Sequence, residues 1–381
     1  MVRCGLENTD ALDRALKDKK LGLLTSVSGV DHRLQSGIEL LHERYHLTAL
    51  FGPEHGVRGS CGAGETVGCS TDPLTGLPVY SLYREDSKHL TPEMLEGIDA
   101  VVYDIQDLGV RFYTFISSLL YTLQDCAAAG KELIVLDRPD PLDGLSVEGG
   151  LMQPEFESFV GAYRLPIRYG LTPGELAQMV NRQQKIGCKL TVVPVLGWQR
   201  RMLYPETELL FMMPSLGIPR FETALIYAGM CLIEGTNVSE GRGTSCPFEL
   251  IGAPWIDAHA LSRFMNEQKL PGVIFTPAWF TPTASKHAGV PCQGIHLHLT
   301  DPHAFVPVRT GIELLHALRT LYPDSFAFLP PVRPGSRPFI SLLAGCDVFS
   351  SEQWDKDQLL ARFEAESRRF ALEKKSYHLY D

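Results

Sequence analysis

Leu47-Thr48-Ala49-Leu50-Phe51-Gly52-Pro53-Glu54-His55-Gly56-Val57-Arg58-Gly59 passes from an apolar stretch straight into a turn that carries an acid, an imidazole and a guanidinium. The run from Leu47 to Phe51 reads as a buried strand. Its carboxyl end therefore presents Glu54, His55 and Arg58, and open α/β sheets hold their ligands at such ends. Pro53 and Gly56 restrain the backbone around Glu54, while Gly59, Gly62 and Gly64 keep the following loop free of bulk. A plain ion pair between Glu54 and Arg58 across the loop is the structural alternative.

Outward from this strand, short apolar runs alternate with helical patterns: Leu21 to Ser26, Ser36 to Arg44, Ala100 to Tyr103, Phe115 to Ala129 and Leu133 to Leu136. Such alternation predicts βαβ units, hence a parallel sheet with helices on both faces. Thr172 and Pro173 mark a helix start, with Thr172 as N-cap, and a helix to Ile186 followed by a strand from Lys189 to Val195 completes the sheet. The dinucleotide fingerprint G-x-G-x-x-G is missing after the first strand, where Thr25-Ser26-Val27-Ser28-Gly29 stands, and no P-loop motif occurs. The expected fold is α/β: a Rossmann-like domain over residues 1–205 without dinucleotide binding. A smaller α+β companion over residues 206–381 closes a cleft. The junction falls in the irregular, Pro- and Met-rich stretch 198–220. Beyond it come a helix from Phe221 to Ile233, segments Gly272 to Phe280 and Gly294 to Leu299, and helices at Val308 to Leu321 and Trp354 to Lys374.

Composition excludes several classes. A chain of 381 residues with 44% hydrophobic content has enough apolar surface for two cores. The net charge of -10 and the lack of a Lys/Arg cluster argue against nucleic acid and anionic membranes as partners. No apolar stretch is long enough to span a bilayer, so no membrane insertion is expected. Nine cysteines without C-x-x-C spacing suit a reducing compartment. With no signal-like apolar core after Met1, a cytoplasmic location is expected. Cys61 and Cys69 flank the Gly-rich loop as reactive candidates, against the commoner buried role.

Two more polar segments follow apolar runs. Tyr103-Asp104-Ile105-Gln106-Asp107-Leu108-Gly109-Val110-Arg111-Phe112-Tyr113-Thr114 is the first. The second, Glu234-Gly235-Thr236-Asn237-Val238-Ser239-Glu240-Gly241-Arg242-Gly243-Thr244, packs two carboxylates, an Arg and several glycines together. A solvated loop needs no such density of Gly, acid and Arg, whereas a ligand site does.

Together with Asp137-Arg138-Pro139, these motifs resemble the exo-β-N-acetylmuramidase family, glycosidases of bacterial cell-wall turnover long catalogued as an uncharacterised domain. The resemblance covers most of the chain and departs at Asp140, where the family pattern has Asn. It implies an exo-acting enzyme that needs no cofactor and releases β-1,4-linked N-acetylmuramic acid (MurNAc) from the non-reducing end of peptidoglycan fragments such as MurNAc-GlcNAc. It also allows a secreted or periplasmic location, since the family has such members. Loops 56–68 and 235–244 are then expected to close one end of the cleft.

Glycoside hydrolysis needs a proton donor and a second group that stabilises or attacks the sugar cation. Glu54 is the candidate donor, with His55 to orient it. The second carboxylate is left open among Glu234, Glu240, Asp104 and Asp107, as is the choice between retention, inversion and assistance by the substrate acetamide. The lactyl carboxylate of MurNAc calls for a guanidinium, from Arg58, Arg111, Arg242 or, less directly, Arg138. Tyr103, Tyr113, Gln106 and Asn237 are further candidates for binding the sugar. Two other classes share these residues: a non-catalytic amino-sugar or muropeptide receptor, and a metal-assisted hydrolase using Asp104, Asp107 and His55. His296-Leu297-His298 has workable ligand spacing, but strand alternation accounts for it equally, and no metal is expected.

Overall fold

The computed structural model of the chain describes residues 1–59, 70–350 and 354–381. Gly62, Gly64, Cys61 and Cys69, and with them most of loop 56–68, lie outside the described residues. Seven strands form the main sheet: β1 (Leu21–Thr25), β2 (Leu47–Gly52), β3 (Ser70–Thr71), β4 (Pro78–Ser81), β5 (Ala100–Asp104), β6 (Glu132–Leu136) and β7 (Lys189–Val193). Their order is β3-β4-β2-β1-β5-β6-β7, and every pairing is parallel except that of β3 with β4.

Helices α1 (Thr9–Leu16), α2 (Gly37–Arg44), α3 (Phe115–Ala128) and α4 (Pro173–Gln183) cover the sheet. Strand alternation sends successive side chains to opposite faces. Ala100 and Val102 of β5 join a cluster with Leu12 and Leu16 of α1 and Ile38 and Leu41 of α2. Val101 and Tyr103 join the other cluster, with Leu119 and Leu123 of α3 and Leu176 of α4. Both faces are thus buried, which is why these strands read as continuous apolar runs. At α4 the expected cap is present: Glu175 N–H donates to Thr172 Oγ1 at 3.2 Å, and the Glu175 carboxylate accepts from Thr172 N–H at 3.1 Å.

The second half holds α5 (Phe221–Met230), β8 (Leu250–Ala253), α6 (Ala258–Glu267), β9 (Val273–Phe280), β10 (Cys292–Leu299), α7 (Pro307–Leu321), α8 (Phe339–Ala344) and α9 (Lys356–Glu373). Its three strands form an antiparallel sheet with β10 in the middle. The helix expected to reach Ile233 stops at Met230 and tightens into a 3-10 turn, Cys231–Gly235. Thr236 Oγ1 donates to the Ile233 carbonyl at 2.8 Å and closes that turn. The larger apolar cluster continues through this half, taking in Leu225, Ile251, Ile295, Leu315 and Phe370.

Between β1 and β5 the strand order reverses, and a Rossmann-type sheet would hold its ligand there. Here that crevice is filled from within. Thr25 Oγ1 donates to the Asp104 carbonyl at 2.8 Å, and Arg138 Nε donates to Asp104 Oδ1 at 2.7 Å.

Candidate active site

After β2 the chain reverses in a tight turn in which Gly56 N–H donates to the Pro53 carbonyl at 2.9 Å. His55 sits in the left-handed region, at φ +75°. That conformation costs a residue with a Cβ about 1–2 kcal/mol. His55 is 8% exposed and meets the Phe115 ring edge-on, with centroids 6.5 Å apart. Glu54, half-buried beside it, accepts a hydrogen bond from Thr114 Oγ1 at 2.6 Å. The Tyr83 hydroxyl is a second partner of Glu54; burial first, and then Glu54, raises the phenol above its ordinary range. Lys88 stands 3.6 Å over the Tyr83 ring and brings positive charge near Glu54.

The second half contributes a linked set of charges. The Cys231–Gly235 turn delivers Glu234, whose Oε1 accepts from Arg242 Nη2 at 2.9 Å. Arg242 Nε lies 3.5 Å from Glu240 Oε1, and Lys286 Nζ lies 2.9 Å from Glu240 Oε2. Lys286 also donates to the carbonyls of Ile233 and Thr236, at 2.8 and 2.9 Å, and so ties its loop to the end of α5. Burial pushes the Glu234 carboxyl up, with Arg242 opposing and Glu240 adding to the rise. Burial works most strongly against the Arg242 cation, but Glu234, Tyr227 and Glu240 together hold the guanidinium above its ordinary range. The glycines serve packing as well as access. A Cβ on Gly243, at φ +78°, would stand 2.3 Å from Ala284 N, so only glycine lets the two loops meet.

Part of this set opens on one cavity of about 550 Å³. Glu54, His55, Tyr113 and Thr114 line it from the sheet half, and Tyr227, Glu234, Arg242 and Phe248 from the other. Of the residues singled out from sequence, Glu54, His55, Tyr113, Glu234 and Arg242 meet there. Glu240 supports Arg242 and Lys286 from behind, at 1% exposure.

The remaining candidates are not among the residues that line this cavity, and their groups have partners elsewhere. Arg58 forms a two-pronged pair with Asp72, its Nη2 2.9 Å from Oδ1 and 3.2 Å from Oδ2. Arg111 is fully buried and donates to the carbonyls of Gly150, Leu165 and Leu343. Arg138 is held by Asp104, and Tyr103 donates to the Phe115 carbonyl at 3.3 Å. Gln106 donates to the carbonyls of Asp107 and Pro139, and Asp107 accepts from Tyr169. Asn237 bridges to Ser325 and Ala327. Asp104 and Asp107 therefore do not join His55 in the cavity. The sequence reading missed Thr114, Tyr83, Lys88, Lys286 and the Ser215–Ile218 wall. Two of these left a signal: Thr114 closes the second polar motif, and Lys286 is a cation in the polar loop 281–287.

An α/β frame with carboxylates from two halves of the chain on one aromatic-walled cavity is the arrangement a glycoside hydrolase uses. The chain belongs to the exo-β-N-acetylmuramidase NamZ family, whose N-terminal model matches residues 21–222 and whose C-terminal model matches residues 225–380. It is 47% identical over 318 residues to the peptidoglycan β-N-acetylmuramidase NamZ of Bacillus subtilis strain 168, covering 83% of this chain and 77% of that one. Two crystal structures of DUF1343 family proteins from Bacteroides fragilis share the fold. One has a TM-score of 0.91 at 35% identity and the other 0.79 at 28%, each match covering 100% of this chain and 99% of the other.

Proposed function

We propose that this chain removes a terminal β-linked MurNAc from MurNAc-GlcNAc fragments of peptidoglycan, with Glu54 as proton donor and Glu234 as the second carboxylate. The observation that carries this reading is the meeting of Glu54, Glu234 and Arg242 on one cavity. Thr114 and Tyr83 hold the Glu54 carboxyl in place, so its proton is delivered along one direction to the glycosidic oxygen. Phe112, Tyr113, Tyr227 and Phe248 supply apolar walls for the sugar faces.

Arg242 is the one arginine among the described residues that lines the cavity, which makes it the receptor for the lactyl carboxylate. Its Nη2 also bonds Glu234, and that pairing opposes the rise that burial imposes on the Glu234 carboxyl. The test is hydrolysis of a chromogenic β-MurNAc and of the matching β-GlcNAc, each with and without chelator. The reading requires faster turnover of the muramide and no dependence on added metal. Equal efficiency on the two sugars would remove the role given to Arg242.

A further inference from the structure

Outside the cavity, next to its Pro247–Phe248 wall, lies a cluster of a different kind. Cys246 Sγ, a Glu249 carboxylate oxygen and a His296 ring nitrogen all fall within 4.8 Å of one another. The fold brings them together: His296 of β10 pairs with Leu250 of β8, and Leu250 N–H donates to the Cys246 carbonyl at 3.1 Å across the intervening turn. We propose that Cys246, Glu249 and His296 form a structural site for a borderline-soft divalent cation, zinc in the first instance.

The donor set carries the argument. Thiolate sulfur, imidazole nitrogen and carboxylate oxygen are the three ligand types of tetrahedral zinc, whereas magnesium and calcium take oxygen. Thr223 Oγ1 donates to Glu249 Oε1 at 2.5 Å and orients the carboxylate, as outer-shell partners of a metal ligand do. Glu249 Oε2 lies 3.8 Å from His296 Nε2. Among the described residues Cys246 is the one cysteine that is not buried, so the cluster is not sealed inside the core.

One competitor is present. Arg220 bonds Glu249 through Nη2 and, at 3.2 Å, through Nε. Arg220 is 52% exposed and has a second acid, Glu222, 4.0 Å from its Nε, so it has somewhere to go. Binding then runs as an exchange. The cation takes the Glu249 oxygen that Arg220 leaves, the Cys246 thiol releases its proton to solvent, neutral His296 donates a lone pair, and water fills the fourth position. Thiolate and carboxylate together neutralise the dication. The bound ion would pin the turn between the Arg242 loop and β8, stiffening a cavity wall without entering the reaction.

The experiment uses the full chain with cobalt as a spectroscopic stand-in and zinc as competitor. Equimolar cobalt should produce tetrahedral visible bands and a near-ultraviolet thiolate charge-transfer band, both abolished by zinc, and zinc should raise the melting temperature. Cys246→Ser should remove the charge-transfer band, and His296→Gln should weaken zinc by more than the roughly 10–100-fold that an outer-shell partner is worth. Arg220→Ala keeps all three ligands and removes the competitor, so it should tighten zinc binding. Affinity should rise with pH, because binding releases a proton. The proposal is overturned if Cys246→Ser leaves the cobalt spectrum intact, which would put the metal elsewhere. It is equally overturned if neither wild type nor Arg220→Ala shows a thiolate band, which would leave Glu249 as the ion-pair partner of Arg220 alone.

Discussion

Glu54 and Arg242 hold their roles through side-chain chemistry that near-isosteric changes can remove. Glu54→Gln keeps the shape and the Thr114 contact but has no acidic proton. Its kcat/KM on a chromogenic β-muramide should fall about 100- to 10,000-fold with the melting temperature nearly unchanged. Arg242→Ala should cut efficiency on β-MurNAc by more than about tenfold and narrow the preference over β-GlcNAc, the scale expected for losing a buried charged contact. Arg111→Met should do the reverse, taking a donor from three carbonyls, of which, among the described residues, only that of Leu165 keeps another, the Met152 N–H, and lowering stability while sparing that sugar preference. Asp107 gives a pH signature of its own. Burial raises its carboxyl to about 6, against Tyr169 and Gly109, which lower it. The folded state therefore favours the neutral acid, and the stability this confers is present below about pH 4 and lost as pH rises through about 6. That loss is on the order of 3 kcal/mol, since each tenfold gain in proton affinity on folding is worth about 1.4 kcal/mol. Asp107→Asn should flatten the decline, read as urea midpoints from pH 4 to 7.

At the scale of elements, the crossing of α5 and α7 decides where Glu234 sits. A Cβ on Gly229 would stand 1.8 Å from the Pro307 carbonyl oxygen, and one on Gly311 2.4 Å from the Gly229 carbonyl oxygen, so the helices touch backbone to backbone. Gly229→Ala should push α7 off α5 at a cost of about 1–3 kcal/mol. Because α5 carries Tyr227 and runs into the Glu234 turn, activity should fall together with the melting temperature, unlike in Glu54→Gln. The start of α4 was legible from Thr172 and Pro173, since an N-cap and a first-turn proline are written in adjacent residues. The end of α5 was not. Its last turn tightens where Gly235 packs on Ile340 of α8, a contact from more than a hundred residues away; a Cβ there would meet Ile340 at 2.6 Å.

For the whole molecule, the cavity exists only because both halves wall it, and its lining includes the Ser215–Ile218 stretch and the Gly243–Thr244 loop. A pocket of about 550 Å³ accepts a terminal sugar better than the middle of a strand. Digestion of long glycan strands should release free MurNAc from the outset, and strands capped by GlcNAc at the non-reducing end should resist; early internal oligosaccharides would contradict the pocket. The parallel strands β1, β2, β5, β6 and β7, the helices α2, α3 and α4, and the turn that presents Glu54 were determined by the sequence itself, because apolar period, caps and turn residues act between near neighbours, whereas α1, β3, β4, β8, α6 and α8 went unread. Which motif arginine faces the cavity was decided by tertiary structure alone. Arg58 finds Asp72 14 residues on, Arg138 finds Asp104 34 residues back, and Arg111 finds the Leu343 carbonyl 232 residues on. A buried guanidinium must satisfy its donors with whatever acceptors packing brings within reach, and sequence spacing carries no record of that distance.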